Sequence, residues 1–268
     1  MLGSRLDIRQ TGSKLASFSE GKQIWQIDID PAEMGVQVKP THSRCCSIAD
    51  MARVLVSFTK RPQGKHLHWS EQIRSLRQQY PAEREYPCLP GQINPIALLQ
   101  MLSKQAPDPS HDVTDVGQHQ MWAAQSLEIG CRDRFLTSGG MGAMGFGLPA
   151  AIGSAFAEPE VTTILISGDG SFQINIQELE TLKRNQLAIK IILFNNNCHG
   201  MVRQFQDAYF GGNAQSARDG YSSPNFTAVA AAHSITARCV HTEDEVADGL
   251  NWLLSTLLEA IKIPNLNT

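Results

Sequence analysis

An aspartate and an asparagine, 27 positions apart, carry the chemistry this sequence encodes most clearly. Asp169 stands in Gly168-Asp169-Gly170-Ser171, directly after an apolar run at 161–167. Asn196 stands in Asn195-Asn196-Asn197, directly after a second apolar run at 188–194. One offers an anionic oxygen and the other a neutral amide oxygen. Such a pair suits Mg²⁺, which takes few protein ligands and completes its octahedron with phosphate oxygens and water. The GDGS turn also opens a segment of helical spacing, and the free N–H groups at a helix start favour a phosphate. These residues describe a site for a magnesium diphosphate.

The elements around them have to bring the two turns together. Phe172, Ile176, Leu179 and Leu182 recur at helical spacing, so the segment reads strand, Gly turn, helix, strand, Asn turn. A βαβ crossover lays consecutive parallel strands side by side, with ligands in the crevice beyond their C-terminal ends. From Asn94 onward helix and strand alternate, which predicts a doubly wound α/β domain with a mostly parallel sheet and helices on both faces. The expected organisation is a partial α/β block over 1–60, a linker over 61–92 and this domain over 93–268. In the first block, residues 23–30 alternate with Trp25, Ile27 and Ile29 on one face, a strand pattern. Asp30-Pro31-Ala32-Glu33 follows as a helix start, with a capping Asp, Pro in first position and Glu in third. The linker is polar, carries Pro62, Pro81, Pro87 and Pro90, and leaves room for one short helix. Residues 242–262 predict a closing helix, with Thr242 and Glu245 as a capping pair and Leu250, Leu253, Leu254, Leu257 and Ile261 as its stripe.

Composition narrows the function classes. Hydrophobic content of 42% and charge of 18% describe an ordinary globular chain, and a net charge of −3 gives no reason to expect nucleic acid or an anionic membrane as partner. Residues 135–157 are uncharged and long enough to span a bilayer, yet six glycines and Pro149 argue against a membrane helix. Arg5, Asp7 and Arg9 occupy the start, where a signal peptide needs an apolar stretch. Six cysteines without a CxxC pair or zinc spacing read as reduced thiols in a cytoplasmic protein.

Three further motifs have competing readings. Gly140-Met141-Gly142-Ala143-Met144-Gly145 matches GxGxxG, but a dinucleotide fingerprint needs a strong strand before it and an acid ending the next strand. Residues 132–138 make a poor strand and no such acid follows, so a glycine-rich helix start packed on the sheet is the better reading. Asp115-Val116-Gly117-Gln118-His119 follows a short strand and begins a helix, which puts Gln118 and His119 in a first turn where they can reach phosphate oxygens. His199, beside Gly200, is open to a structural or a catalytic reading.

Four segments together resemble acetolactate synthase large subunits: DVGQHQMWAAQ (115–125), GGMGAMGFGLPAAIG (139–153), GDGSFQINIQEL (168–179) and NNNCHGMVRQFQDAYF (195–210). GDG followed by a strand and a paired Asn is the signature of thiamine-diphosphate enzymes generally. Residues 3–12, 24–31 and 36–58 also look like the last part of that family's middle domain. The resemblance implies a thiamine-diphosphate-binding fold and two cofactors, thiamine diphosphate and Mg²⁺. It implies that Asp169 and Asn196 hold the metal by side chain and Cys198 by its carbonyl. Gln118, His119, Gly170 and Ser171 would hold the diphosphate, with Val116 and Gly117 also among the cofactor-binding residues. Gly142 and Met144 would approach the cofactor's rings, Met144 as the apolar wedge that bends it, with Gly200 and Met201 lining the same pocket. Phe205 falls at a substrate-channel position where the family usually carries Trp.

The implied activity is decarboxylation of pyruvate and carboligation to a second 2-ketoacid. The family's large subunit also has an N-terminal pyrimidine-binding domain whose Glu activates the cofactor, and no segment here matches it. No catalytic residue is therefore assigned in this chain, and a homo-oligomer or a partner carrying a pyrimidine-binding domain is expected. Another 2-ketoacid decarboxylase or carboligase, and a non-catalytic cofactor-binding or interaction protein, are the alternatives.

Overall fold

The computed structural model describes residues 1–58, 67–84, 91–255 and 259–264, the last of these by backbone. The chain divides into two compact units, Met1–Ile73 and Arg74–Thr268. Of the expected linker, a helix forms at Leu67–Gln79. Pro62, Pro87, Pro90 and Cys88 lie outside the described residues.

In the first unit, strand β1 (Trp25–Asp28) pairs in parallel with β2 (His42–Cys45), and Leu2 bridges to Ile27. Leu6, Ile24 and Val38 form a small core. Ile27 is buried, but Trp25 is 55% and Ile29 72% exposed, so the expected apolar face is not a covered one. Ile29 lies beyond the end of β1, and Trp25 stacks on His42 of β2 at 4.2 Å instead of entering the core. Asp30 caps as expected, accepting from the Ala32 N–H at 2.8 Å, yet what it starts is a single 3-10 turn, Pro31–Glu33.

The second unit is built on a parallel sheet of six strands. These are β3 (Ser110–Thr114), β4 (Arg134–Thr137), β5 (Thr162–Gly168), β6 (Ile189–Asn195), β7 (Thr236–Cys239) and β8 (Glu259–Pro264), in the order β4-β3-β5-β6-β8-β7. Strands β5 and β6 are mostly apolar and buried along their length because both of their faces are covered. Ile164, Ile166, Ile192 and Phe194 face one layer, made by the helices Pro95–Gln105, Gln118–Ser126 and Val246–Ser255. Leu165, Ile191 and Leu193 face the other, where Leu148 and Ala151 of the Gly147–Ala157 helix pack with Phe172, Leu182 and Phe226. Helices on both faces of a parallel sheet are what the alternation predicted. Asn94 opens the first helix, its Oδ1 accepting from the N–H groups of Ile96 and Ala97 ahead of Pro95.

Two expected helices differ. The segment after GDGS is not continuous: a helix at Asp169–Ile174 stops at Asn175, a 3-10 turn covers Ile176–Glu178, and Leu179–Arg184 completes it. Asn175 breaks the ladder because its side-chain Nδ2 donates to the Gly145 carbonyl at 2.7 Å. The closing helix ends at Ser255, and Glu259–Pro264 is a strand between β6 and β7. Its apolar spacing fits either form, and two neighbouring strands with open backbone groups decide for the sheet. At the helix start, Glu245 accepts from the His241 N–H at 2.7 Å, while Thr242 makes no side-chain cap.

Candidate functional site

Three strand ends meet at one edge of the sheet. Thr114 of β3 aligns with Ile166 of β5, and Gly168 of β5 aligns with Phe194 of β6. The turns that follow, starting at Asp115, Asp169 and Asn196, are thereby side by side. The chain runs from β3 to β4 on one side and then to β5 on the other, so this edge lies at a topological switch point, where such sheets form their crevice.

A cleft of about 240 Å³ opens there. Its walls include Val116, Gly117, Gln118 and His119 after β3, and Gly142 and Met144 of the glycine-rich loop. Asp169, Gly170 and Ser171 follow β5, and Asn196, Cys198, Gly200 and Met201 follow β6. All the residues expected around cofactor and metal are brought together. Phe205 is not among the lining residues: it is 57% exposed, one turn past Met201 on the Gly200–Tyr209 helix, and stacks on Tyr209 at 4.7 Å. Trp122, Phe194 and Val202 add apolar wall that the motifs did not announce, and His199 lines the cleft as well.

The glycine-rich loop is held by a residue that no motif had assigned a role. Asp115, 1% exposed, accepts the Val116 and Gly145 N–H groups at 2.8 and 2.9 Å on one oxygen and the Gly147 N–H at 3.0 Å on the other. Burial pushes its carboxyl pKa up, against the pull of these N–H groups. Gly145 has a φ of +85°, and a Cβ there would meet Ile174 at 2.7 Å, so only glycine fits this position. Its N–H is held by Asp115 and its carbonyl by Asn175. An acid directly after a strand was the one available signal for Asp115. Nothing local marks Asn175.

Across the cleft, Gln118 Oε1 accepts from Asn196 Nδ2 at 3.1 Å and joins the β3 and β6 turns. The backbone at Gly200 comes so close that a Cβ would collide with the Gln118 carboxamide. Asn196 Oδ1 accepts the Cys198 N–H at 3.3 Å and folds the turn back on itself.

The electrostatics fit the cofactor pair that the resemblance implies. Asp169 is 2% exposed, and burial raises its carboxyl to about 6, opposed by the Tyr221 hydroxyl and the N–H groups of Gly170 and Asn197. A divalent cation would reverse that shift by favouring the carboxylate. The lining holds no lysine or arginine and no second carboxyl group. Among the described residues there is no group of three or more His, Cys, Asp or Glu that could hold a metal. The donors available are carboxylate, amide and backbone oxygens, the set a hard cation takes. His119 is neutral, its pKa lowered to about 3 by burial, and its ring donates to the Asp115 carbonyl. Its Nε2 is buried without a partner in the protein. A buried polar atom on the wall of a cleft is what a ligand contact would satisfy.

Comparison with known proteins agrees with this geometry. The family profile "Thiamine pyrophosphate enzyme, C-terminal TPP binding domain" matches residues 115–259. The acetolactate synthase large subunit of Porphyra purpurea is 38% identical over 267 residues, covering 98% of this chain and 43% of that protein. The large subunit of acetolactate synthase isozyme 2 from Escherichia coli (strain K12) is 37% identical over 261 residues, covering 95% and 45%. Acetolactate synthase 2, chloroplastic, of Nicotiana tabacum is 37% identical over 264 residues, covering 95% and 39%. The chain thus spans less than half the length of these curated relatives. By the profile and by the three turns that build its cleft, it belongs to the thiamine pyrophosphate enzymes and carries their C-terminal TPP-binding domain.

Proposed function

We propose that this chain supplies the diphosphate and metal half of an acetolactate-synthase-like active site, acting in decarboxylation of pyruvate and carboligation to a second 2-ketoacid. The observation that carries the reading is the convergence of Asp169 and Asn196 on one cleft whose lining offers oxygen donors and no lysine or arginine. In this reading Asp169 and Asn196 hold Mg²⁺ by side chain and Cys198 holds it by its carbonyl. Gln118, His119, Gly170 and Ser171 bind the diphosphate, with Val116 and Gly117 shaping the turn.

Thiamine diphosphate, when bound, supplies the electron sink that 2-ketoacid decarboxylation requires. The chain's own part is to hold and shield. Met144, Met201, Val202 and Phe194 form the apolar wall that keeps water from the reacting end. Asp169 is the one carboxyl group of the lining and in this reading is committed to the metal, so the activating acid that the family resemblance implies is assigned to a partner carrying a pyrimidine-binding domain. The cleft supports this: about 240 Å³ falls below the roughly 300–1,000 Å³ of sites that enclose a whole drug-sized ligand. Phe205 sits on the exposed face beside the cleft and is assigned to the acceptor ketoacid once that partner is in place. No helix among the described residues is long and apolar enough to cross a membrane, and a cytoplasmic location belongs to the same proposal.

Calorimetric titration of thiamine diphosphate into the full chain, with Mg²⁺ and then with EDTA, tests the reading. Metal-dependent binding that Asp169→Ala abolishes is the expected result. Absence of binding at millimolar Mg²⁺ would overturn the assignment of a formed site to this chain.

A further inference from the structure

Tyr221 lies in the loop between the Gly200–Tyr209 and Phe226–Ala232 helices, outside every motif that marks the cleft. Its hydroxyl donates to the Asp169 carboxylate and accepts from Gln173 Nε2 at 3.2 Å. It stands so near the GDGS backbone that a Cβ on Gly170 would come within 3.3 Å of it. Its ring packs edge-on against His199, with centroids 4.7 Å apart. The same loop is tied to the other metal turn: the Ala217 carbonyl accepts the His199 N–H at 2.8 Å, and Ser223 Oγ donates to Asn197 Oδ1 at 2.7 Å. One loop therefore grips both turns that carry the proposed metal ligands.

A carboxylate that binds a metal through one oxygen needs its other oxygen fixed, or it rotates and loses the geometry. We propose that Tyr221, held by Gln173, is a positioning residue for the metal site, fixing the Asp169 carboxylate in the orientation that octahedral Mg²⁺ demands. The inference rests on the reading of the cleft as a magnesium diphosphate site. A phenol suits the task because it is a donor on a rigid ring.

The test uses the full chain with saturating thiamine diphosphate and titrates Mg²⁺ and, separately, Ca²⁺, reading heat or intrinsic fluorescence. Loss of an outer-shell partner typically costs ten- to a hundredfold in metal affinity, so Tyr221→Phe should raise the half-saturating Mg²⁺ about tenfold. Ca²⁺ tolerates flexible geometry where Mg²⁺ does not, so its loss should be smaller. Gln173→Met, which removes the Nε2 donor shared at 3.2 Å by the phenol and the Asp169 backbone carbonyl, should move Mg²⁺ in the same direction by less and carries the test if Tyr221→Phe does not fold. Unchanged Mg²⁺ affinity in Tyr221→Phe, or equal losses for both cations, would overturn the inference while wild-type binding leaves the proposed function standing. A wild type without metal-dependent binding would overturn both.

Discussion

Replacing Asp115 by Asn changes one atom in the least exposed part of the site, and the consequences can be worked from three distances. The carboxylate accepts three backbone N–H groups at 2.8, 2.9 and 3.0 Å from a position 1% exposed. An asparagine keeps the volume and keeps Oδ1 for Val116 and Gly145. Its amide nitrogen then faces the Gly147 N–H, donor against donor. A buried N–H left without an acceptor costs about 1–3 kcal/mol. The new amide hydrogens add to that cost, and release from burying a charge subtracts. The net expectation is a loss of about 2 kcal/mol, which is about thirtyfold in an opening equilibrium. Asp115→Ala strands all three N–H groups and should lose about 4 kcal/mol. Hydrogen exchange at Ile164 and Ile166, both fully buried in β5, reads the stability of this sheet directly, and urea unfolding gives a second measure. An Asn variant as stable as the wild type would refute the reasoning. It would mean that the cost of burying the charge, which already raises this carboxyl's pKa, outweighs the bonds it makes.

Two other expectations are independent of that one. Gly200→Ala drives a methyl into the Gln118 carboxamide, the movable end of a side chain, so unfolding should change by less than about 1 kcal/mol while affinity for thiamine diphosphate falls about tenfold, the loss of one charge-assisted bond. Unaltered affinity by calorimetry would remove Gln118 from the diphosphate. Asp112 on β3 is 5% exposed, and burial, with the Asp133 charge adding and the Ser110 hydroxyl opposing, raises its carboxyl from 3.8 to about 6. The folded chain then holds a proton that the unfolded chain releases, so the burden is absent below pH 3.8 and complete above about 6. The stability of Asp112→Asn relative to wild type should rise across that window, by at most about 3 kcal/mol, and a flat difference in urea midpoints would contradict it.

The site was legible in the sequence wherever the signal was local. Strands β5 and β6 are mostly apolar runs ended by Gly and Asn turns, so Asp169 and Asn196 could be put at neighbouring strand ends before any coordinates. What stayed hidden depends on partners distant in the chain. Asn175 fits a helical period, and only Gly145, brought up by Asp115, makes it a break. Residues 259–264 satisfy helix and strand spacing alike, and the open edges of β6 and β7 choose. Trp25 and Ile29 alternate as a buried face would, yet alternation cannot say what covers that face. Tyr221 reaches Asp169 across 52 positions with no periodicity linking them.

Pinning Gly145 at both its N–H and its carbonyl gives the glycine-rich loop the mechanics of a beam clamped at one end and propped at the other. The clamped end is fixed to two different elements, and the prop is Ser138, which accepts the Gly142 N–H on its carbonyl at 3.0 Å and the Ala143 N–H on its hydroxyl at 3.2 Å. Met144, the residue assigned to press against the cofactor, sits one position from the clamped end and so inherits nearly all of its stiffness. Met141, 89% exposed, is three positions further out, in the turn that the Ser138 contact closes. In the proposed function the cofactor would therefore be shaped from the clamped end of the loop.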